Sequence, residues 1–418
     1  MLLKINGGKL LSGEVNLQGS KNGALALLAG AILTRQKITL FNIPHIEDVD
    51  NFLKIAKELN VSSLWENSNL VIDASNLSSA NITKELINSL RASIYFLPIL
   101  SSLKTPFTFY APGGCNLGFR PINFHLDLIK SCGGNYNEDE CSINISVKDL
   151  HPFTYSFPQK SVGGTINALL FASFIDGVST IENCAEEVEI KQLVEFLRLA
   201  GVDITELKGV YIVKGNSNFN EIISYKNQFD RIAASSYIAI GLTSASSLKI
   251  NDVPFDDISD FLHTLDYAEL NYEIKGGKSL LTYKQENKSK LKLTCQPWPG
   301  LSSDNLPIIV SLFLEGQNLV LFKDEVYPLR TRYLKELEKF GLVYSIFDDQ
   351  VLLRGSRNLH PADVICTDLR GGMSALIAAL MIKGTSTISN AEILLRGYEN
   401  LFEILKNIGA DITVDENK

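Results

Sequence analysis

The chain of 418 residues has few features that would suit a protein acting on nucleic acid or in a membrane. Its net charge of −8 argues against a protein that mainly neutralises phosphates along a nucleic acid. Polar or charged residues interrupt every apolar run before about 18 residues, which predicts no transmembrane helix. The segment from Met1 to Gly8 also lacks the apolar core of a signal peptide. We therefore expect a cytoplasmic protein without nucleic-acid or membrane partners.

The common cofactor motifs are missing as well. The sequence contains no P-loop, no Rossmann glycine fingerprint and no HExxH motif, and its five histidines do not cluster. No CxxC or Cys/His metal spacing occurs among the six cysteines, which are Cys115, Cys132, Cys141, Cys184, Cys295 and Cys366. We expect no metal, no redox cofactor and no disulfide framework.

An internal repeat is the main feature that is present. An apolar strand ending near Asn, an amphipathic helix and a turn into another strand recur most clearly at 38–61, 180–204 and 387–412. With weaker copies included, the turns lie about 70 residues apart. They are Asn60, Gly134, Gly201, Leu270, Gly341 and Gly409. Since one core rarely exceeds roughly 250–300 residues, we predict three units in each of two globular domains; an extended array is the alternative.

Each repeat is predicted to contain two kinds of helix. Apolar residues at helical spacing between Glu189 and Leu199, followed by Gly201, predict an amphipathic helix with a glycine stop. The other helix is apolar on all sides, as in 23–29, 168–172 and 375–380. Such a helix has to be buried.

The strongest chemical signal is the loop 111–121, which contains three glycines, two prolines, Cys115 and Arg120. Backbone amides of a glycine-rich loop can approach an anion closely. A thiol beside an arginine has a lowered pKa, which suits a thiolate or a proton donor. The alternative is an inert, buried cysteine in a tight turn.

Charged residues elsewhere have two interpretations each. Lys21 and Asn22 precede a buried helix, as in an anion site or an ordinary helix start. Asp304 precedes an apolar run and is either a helix cap or a general base. Several arginines lie near element boundaries. If they converge on one cleft, they would bind a small polyanion; otherwise each forms an isolated surface salt bridge. They are Arg91, Arg330, Arg370 and Arg396.

Together these segments resemble the UDP-N-acetylglucosamine 1-carboxyvinyltransferases of the enolpyruvyl transferase family. The matching segments follow in order along nearly the whole chain, at 19–22, 90–94, 112–121, 161–163, 230–232, 304, 368–370 and 396–399. The resemblance implies an α/β protein with two inside-out α/β barrel domains of three units each. One domain spans 22–229 and carries the Cys115 loop. The other combines 1–21 with 230–418 and carries Asp304 and Arg396.

The resemblance also implies an activity. Enolpyruvyl would pass from phosphoenolpyruvate to the 3′-hydroxyl of UDP-N-acetylglucosamine with release of phosphate, the first committed step of peptidoglycan synthesis. The protein would thereby serve cell-wall biogenesis, cell shape and cell division. Both substrates are small molecules, no cofactor is needed, and we expect a monomer.

Residue roles follow from the same resemblance. Cys115 would protonate the phosphoenolpyruvate methylene, and Asp304 would be the base. Phosphate would be held by Lys21, Arg120 and Arg396, and the carboxylate side by Arg330 and Arg370. The nucleotide sugar would contact Asn22, Arg91, Arg120, Pro121, Ile122, Asn123, Phe124, Lys160, Ser161, Val162 and Val326.

Three departures from the family pattern concern the acceptor. Gly371-Gly372 and 233–235 differ from the usual residues, and Lys160 is offset by one from the usual lysine. A paralogue that uses another UDP-sugar or nucleoside is therefore an alternative. A 3-phosphoshikimate 1-carboxyvinyltransferase and a non-catalytic UDP-sugar binder are further alternatives, disfavoured by the Cys115 loop and by Asp304 respectively.

Overall fold

The computed structural model describes residues 1–66, 69–78, 82–113, 122–328 and 330–416. The chain divides into two compact units. The terminal unit comprises Met1–Gln18 and Phe229–Lys418, and the central unit comprises residues 19–113 and 122–228. Within the described residues, no helix is both long and apolar enough to span a membrane.

The described residues form twenty-three strands. In chain order they are β1 (Leu2–Gly7), β2 (Leu11–Asn16), β3 (Lys37–Phe41), β4 (Ser62–Glu66), β5 (Asn69–Asp73), β6 (Phe107–Phe109), β7 (Asn135–Glu138), β8 (Ile143–Ser146), β9 (Thr154–Ser156), β10 (Gly177–Glu182), β11 (Asp203–Leu207), β12 (Val210–Gly215), β13 (Ser224–Lys226), β14 (Ala245–Asn251), β15 (Glu273–Lys275), β16 (Ser279–Thr282), β17 (Lys290–Cys295), β18 (Leu319–Asp324), β19 (Val343–Phe347), β20 (Gln350–Arg354), β21 (Asp363–Ile365), β22 (Gly384–Ser389) and β23 (Asp411–Asp415).

The same residues form fourteen α-helices and two 3₁₀ helices, Arg91–Tyr95 and Phe255–Ile258. The α-helices are α1 (Lys21–Leu33), α2 (Glu47–Glu58), α3 (Lys84–Asn88), α4 (Phe96–Ser101), α5 (Asn123–Ser131), α6 (Val162–Phe174), α7 (Val188–Leu199), α8 (Arg231–Ser244), α9 (Ser259–Tyr267), α10 (Leu306–Leu312), α11 (Arg332–Glu338), α12 (Leu369–Met381), α13 (Glu392–Leu395) and α14 (Leu401–Asn407).

The described strands form six sheets, three in each unit. In the terminal unit their orders are β21-β22-β1-β23, β15-β16-β14-β2 and β17-β18-β20-β19, and in the central unit β13-β3-β5-β4, β11-β12-β10-β9 and β6-β8-β7. Five of the six sheets share one pattern, in which a parallel pair is followed by two antiparallel pairings. This recurrence confirms the six predicted repeats, three in the terminal unit and three in the central unit.

Apolar helices fill the core of each unit, as their composition predicts. In the terminal unit α8, α10 and α12 pack together, and every residue of these helices is buried. In the central unit α1, α4 and α6 occupy the same place. Along strands such as β12 and β20, buried residues alternate with more exposed ones, so one face of each packs inward. Helices inside and sheets outside form the inside-out arrangement that the resemblance implies.

The amphipathic helix of each repeat is followed, two or three residues after its last residue, by a residue in the left-handed conformation. These residues are Asn60, Gly133, Gly201, Glu269, Gly341 and Gly409. Positive φ at this position lets the chain leave the helix and enter the next strand. Four predicted turn positions are confirmed, whereas Gly134 and Leu270 are wrong by one residue, because the residue before each takes the turn.

Candidate active site

Three predicted site residues form one ion-pair cluster in the terminal unit. Arg330 Nη1 donates to Asp304 Oδ1 at 3.0 Å, and Arg370 Nε lies 3.5 Å from Asp304 Oδ2. Arg330 Nη2 donates to Asp368 Oδ1 at 2.8 Å. Both arginine side chains are almost completely buried. Isolated surface salt bridges are therefore the wrong interpretation of Arg330 and Arg370.

Asp368 connects this cluster to the start of α12. Its Oδ1 accepts the backbone N–H groups of Arg370 and Gly371, each at 3.1 Å, and so caps the helix. One carboxylate thus places Arg370 in the first helical turn and holds Arg330. In the sequence, Asp368 stands out only as part of the segment 368–370, although an aspartate before an apolar helix is a recognisable cap signal.

The electrostatics of the cluster keep Asp304 ionised. Burial by itself would raise the pKa of Asp304, but the positive charges of Arg370, Arg330 and Arg231 outweigh burial and hold the pKa below its usual range. The side chain remains 31% exposed, which leaves it open to a substrate hydroxyl. The cap of α10 is Asn305, so the interpretation of Asp304 as a helix cap is wrong.

Tyr398 lies beside Arg370, and Gln18 binds the turn that follows Arg396. The Arg370 guanidinium lies 5.4 Å from the centre of the Tyr398 ring, whose hydroxyl bonds to Ser236 at 2.8 Å. Gln18 donates to the carbonyl of Gly397 at 3.0 Å and accepts from the N–H of Glu399 at 2.7 Å. These two bonds fix the turn that follows Arg396. Nothing in the local sequence around Gln18 signals this role.

In the central unit, the helix predicted to follow Lys21 and Asn22 is present, but it begins earlier than expected and includes both residues. Helix α1 begins at Lys21 and is capped by Ser20, whose Oγ accepts from the N–H of Gly23. The Lys21 ammonium lies 2.7 Å from Asp48 Oδ2, and the Asp48 side chain is only 4% exposed. Asp48 could not be recognised from the sequence, because it lies 27 residues from Lys21 and only folding brings the two together.

Several residues that were predicted to contact the nucleotide sugar lie at the starts of helices in the central unit. Ile122 is the cap residue of α5, which begins at Asn123 and Phe124. Ser161 caps α6, which begins at Val162. The preceding Lys160 pairs with Glu186 at 2.7 Å. These predicted residues therefore lie at the N-termini of α5 and α6, and helix N-termini are places where backbone N–H groups can bind an anion.

Arg91 and His125 form a second polar feature of the central unit. Arg91 begins a 3₁₀ helix, and His125 lies in α5 with its Nδ1 2.8 Å from Asn167 Nδ2. Burial, assisted by the charge of Arg91, lowers the pKa of His125 to about 3. The ring is therefore neutral at physiological pH. Sequence reasoning missed His125 and Asn167, because neither residue belongs to a local motif.

Val326 lies after β18 in the terminal unit and is 37% exposed. Cys115, Arg120 and Pro121 lie outside the described residues.

The paired glycines after Arg370 have a packing explanation. A Cβ at position 372 would lie 2.1 Å from Cys366 Sγ, and one at position 371 would lie 2.7 Å from Tyr333 Cβ. Distances below 3.0 Å require neighbours to shift. Buried side chains of neighbouring segments therefore occupy the space that alanine or serine would need.

We expect Gly372→Ala to lower the free energy of unfolding by about 1–3 kcal/mol through overpacking. Cys366→Ala should restore part of that loss in the double variant, because it removes the clashing sulfur. Urea unfolding followed by circular dichroism measures both effects. Gly163→Ala is the control. The new Cβ would have only ordinary contacts, at 3.6 Å or more, so the free energy of unfolding should not fall. Additive losses in the double variant would contradict the Cys366 explanation.

Comparisons with known proteins agree over the whole chain. The profile of the EPSP synthase (3-phosphoshikimate 1-carboxyvinyltransferase) family matches residues 5–405. UDP-N-acetylglucosamine 1-carboxyvinyltransferase 2 of Latilactobacillus sakei is 33% identical over 420 residues, covering 99% of both chains. The protein of that name from Streptococcus mutans is 32% identical over 421 residues, again covering 99% of both.

Solved structures show the same fold. The enolpyruvyl transferase NikO from Streptomyces tendae matches with a TM-score of 0.90 at 23% identity, covering 99% of this chain and 98% of NikO. EPSP synthase from Acinetobacter baumannii matches with a TM-score of 0.77 at 16% identity over the full length of both chains. With its fold, its full-length profile match and relatives above 30% identity, the chain belongs to the EPSP synthase family of enolpyruvyl transferases.

Proposed function

We propose that this protein transfers the enolpyruvyl group of phosphoenolpyruvate to the 3′-hydroxyl of UDP-N-acetylglucosamine, the first committed step of peptidoglycan synthesis. The observation that carries the proposal is the Asp304–Arg330–Arg370 cluster, an ionised and partly exposed carboxylate between two buried cations. The full-length relatives named for this reaction support the choice of acceptor.

The reaction needs an acid, a base and fixed cations. A C–O bond forms between the sugar hydroxyl and the central carbon of phosphoenolpyruvate while the methylene carbon gains a proton. Asp304 accepts the hydroxyl proton, and the cations Arg330 and Arg370 face the substrate carboxylate. The departing phosphate of the resulting tetrahedral intermediate takes up the hydroxyl proton from Asp304. The Asp304 carboxylate, ionised again, then takes a proton from the methyl group to restore the double bond, and this proton returns to the acid that supplied it.

The remaining residues hold the two substrates. Cys115 is the proposed acid, and Lys21, Arg120 and Arg396 hold the phosphate. The nucleotide sugar takes its contacts from the α5 and α6 starts, Arg91 and Val326. In this proposal the two domains are 22–229 and 1–21 with 230–418, and the protein is a cytoplasmic monomer.

Release of inorganic phosphate tests the proposal. Phosphate should appear only when phosphoenolpyruvate and UDP-N-acetylglucosamine are both present, and shikimate 3-phosphate should not replace the sugar. Turnover with another UDP-sugar, or with shikimate 3-phosphate, and none with UDP-N-acetylglucosamine would overturn the proposed acceptor. Binding of UDP-N-acetylglucosamine without turnover would identify a non-catalytic binder instead.

A further inference from the structure

Asp324, at the end of β18, binds two separate turns through one buried carboxylate. Its Oδ2 accepts a hydrogen bond from the Ser303 hydroxyl. Its Oδ1 accepts the backbone N–H groups of Val326 at 3.0 Å and Tyr327 at 2.9 Å. Three donors therefore converge on a side chain that no motif of the sequence singled out.

The Ser303 side of this arrangement leads to the proposed base. Ser303 is buried and directly precedes Asp304. Its carbonyl accepts from Arg330 Nη1 at 3.1 Å, and the same nitrogen donates to Asp304 Oδ1 at 3.0 Å. The orientation of the Ser303 peptide and the position of the Asp304 carboxylate are thus fixed by one guanidinium nitrogen.

The Val326–Tyr327 turn, on the other side of Asp324, leads to the cation Arg330. Tyr327, whose N–H is bound by Asp324, offers its carbonyl to the N–H of Arg330 at 3.0 Å. Arg330 is therefore held at its backbone by the turn that Asp324 organises and at its guanidinium by Asp304 and Asp368. Asp324 touches neither end of the ion pair, yet it is bonded to the segments that carry both.

We propose that Asp324 is a positioning residue, which fixes the Ser303 turn against the Val326–Tyr327 turn and so sets the geometry of Asp304 and Arg330 for the transfer. The inference rests on the proposed function of Asp304. Only a carboxylate accepts from all three donors, because an amide must turn its NH₂ group towards one of them. Hydrogen bonds to a charged acceptor are also about twice as strong as neutral ones.

Steady-state kinetics of three variants provide the first test. Ser303→Ala removes the hydrogen bond between the Ser303 hydroxyl and Asp324. We expect kcat to fall about ten- to hundred-fold, because misplacing a reacting group by about 1 Å has that effect. The KM for the acceptor sugar should change little. Asp324→Asn should lower kcat similarly and also raise acceptor KM through the Val326 turn. The double variant should have the kcat of Asp324→Asn, because both changes break one linkage.

The pH dependence separates positioning from general damage. In Ser303→Ala the Asp304 carboxylate moves from its arginines, its pKa rises, and the acidic limb of the kcat profile shifts to higher pH. Glu325→Gln, a change at the exposed neighbouring residue, is the control and should leave kcat and the limb unchanged. Wild-type kcat in Ser303→Ala, or multiplied losses in the double variant, would overturn the inference.

Hydrogen exchange tests the linkage without any substrate. In Ser303→Ala, the amides of Val326 and Tyr327 should exchange faster than in the wild type, although the substitution lies more than 20 residues away. Unchanged exchange at these amides would refute the linkage even in an active enzyme. Faster exchange in a protein that releases no phosphate with UDP-N-acetylglucosamine would support the linkage while the proposed function fails.

Discussion

Replacing Asp304 by asparagine is expected to lower kcat by about 10²- to 10⁴-fold, the usual contribution of a general acid or base. Asparagine keeps the shape of the side chain and can still accept a hydrogen bond from Arg330, but it cannot take a proton from the sugar hydroxyl. In the wild type, Arg370, Arg330 and Arg231 lower the pKa of Asp304, so the base is ionised throughout the physiological range. Phosphate release with saturating substrates measures the loss.

Two controls make this result specific to the carboxylate at position 304. Asp256→Asn removes an exposed carboxylate of the same unit and should retain the wild-type rate. Binding of UDP-N-acetylglucosamine to Asp304→Asn, measured by calorimetry, should fall far less than kcat, because the other proposed acceptor contacts remain. An Asp304→Asn enzyme with a wild-type rate would remove Asp304 from the chemistry.

The repeat could be predicted because it depends on local patterns. Apolar spacing followed by Gly201 was sufficient to predict α7, found at Val188–Leu199. The uniformly apolar segment after Lys21 predicted a helix that is buried along almost its whole length. A left-handed Glu269 gave no such signal, since non-glycine residues seldom adopt this conformation. The pairing of β1 with β22 and β23 was likewise out of reach, because it joins the two ends of the chain.

The candidate site divides in the same way. Asp304 drew attention because it precedes an apolar run, and the arginines because they lie near element boundaries. The structure brings Asp304, Arg330 and Arg370 together. The residues that hold them were missed, because their roles depend on folding: Asp48 on Lys21, Gln18 on the turn after Arg396, and Asp324 on Ser303. A side chain whose partner is distant in sequence leaves no local pattern.

We expect Arg330→Met to lower the free energy of unfolding by about 3–5 kcal/mol, the cost of breaking a buried ion pair by removing one partner. Methionine fills a similar volume, so packing is largely kept, but Asp368, whose side chain is 5% exposed, loses its charged partner. Asp304 adds less to the cost, because its exposed fraction lets water replace the guanidinium. Arg354→Met removes an exposed arginine of β20 and should change stability by less than about 0.5 kcal/mol.

The pH dependence of this loss identifies its electrostatic part. Because the pKa of Asp304 is lower in the folded protein than its ordinary value of about 3.9, its ion pairs stabilise the wild type above that pH, and this stabilisation is lost as the pH falls towards the folded value. Arg330→Met removes one of the charges that lower the pKa of Asp304, so this pKa rises. The stability of the variant therefore depends less on pH in this range than that of the wild type. The difference in unfolding free energy between wild type and variant, measured in urea, should therefore be constant above about pH 5 and narrow below about pH 4. A difference independent of pH would mean that lost packing, and not the charge of Arg330, destabilises the variant.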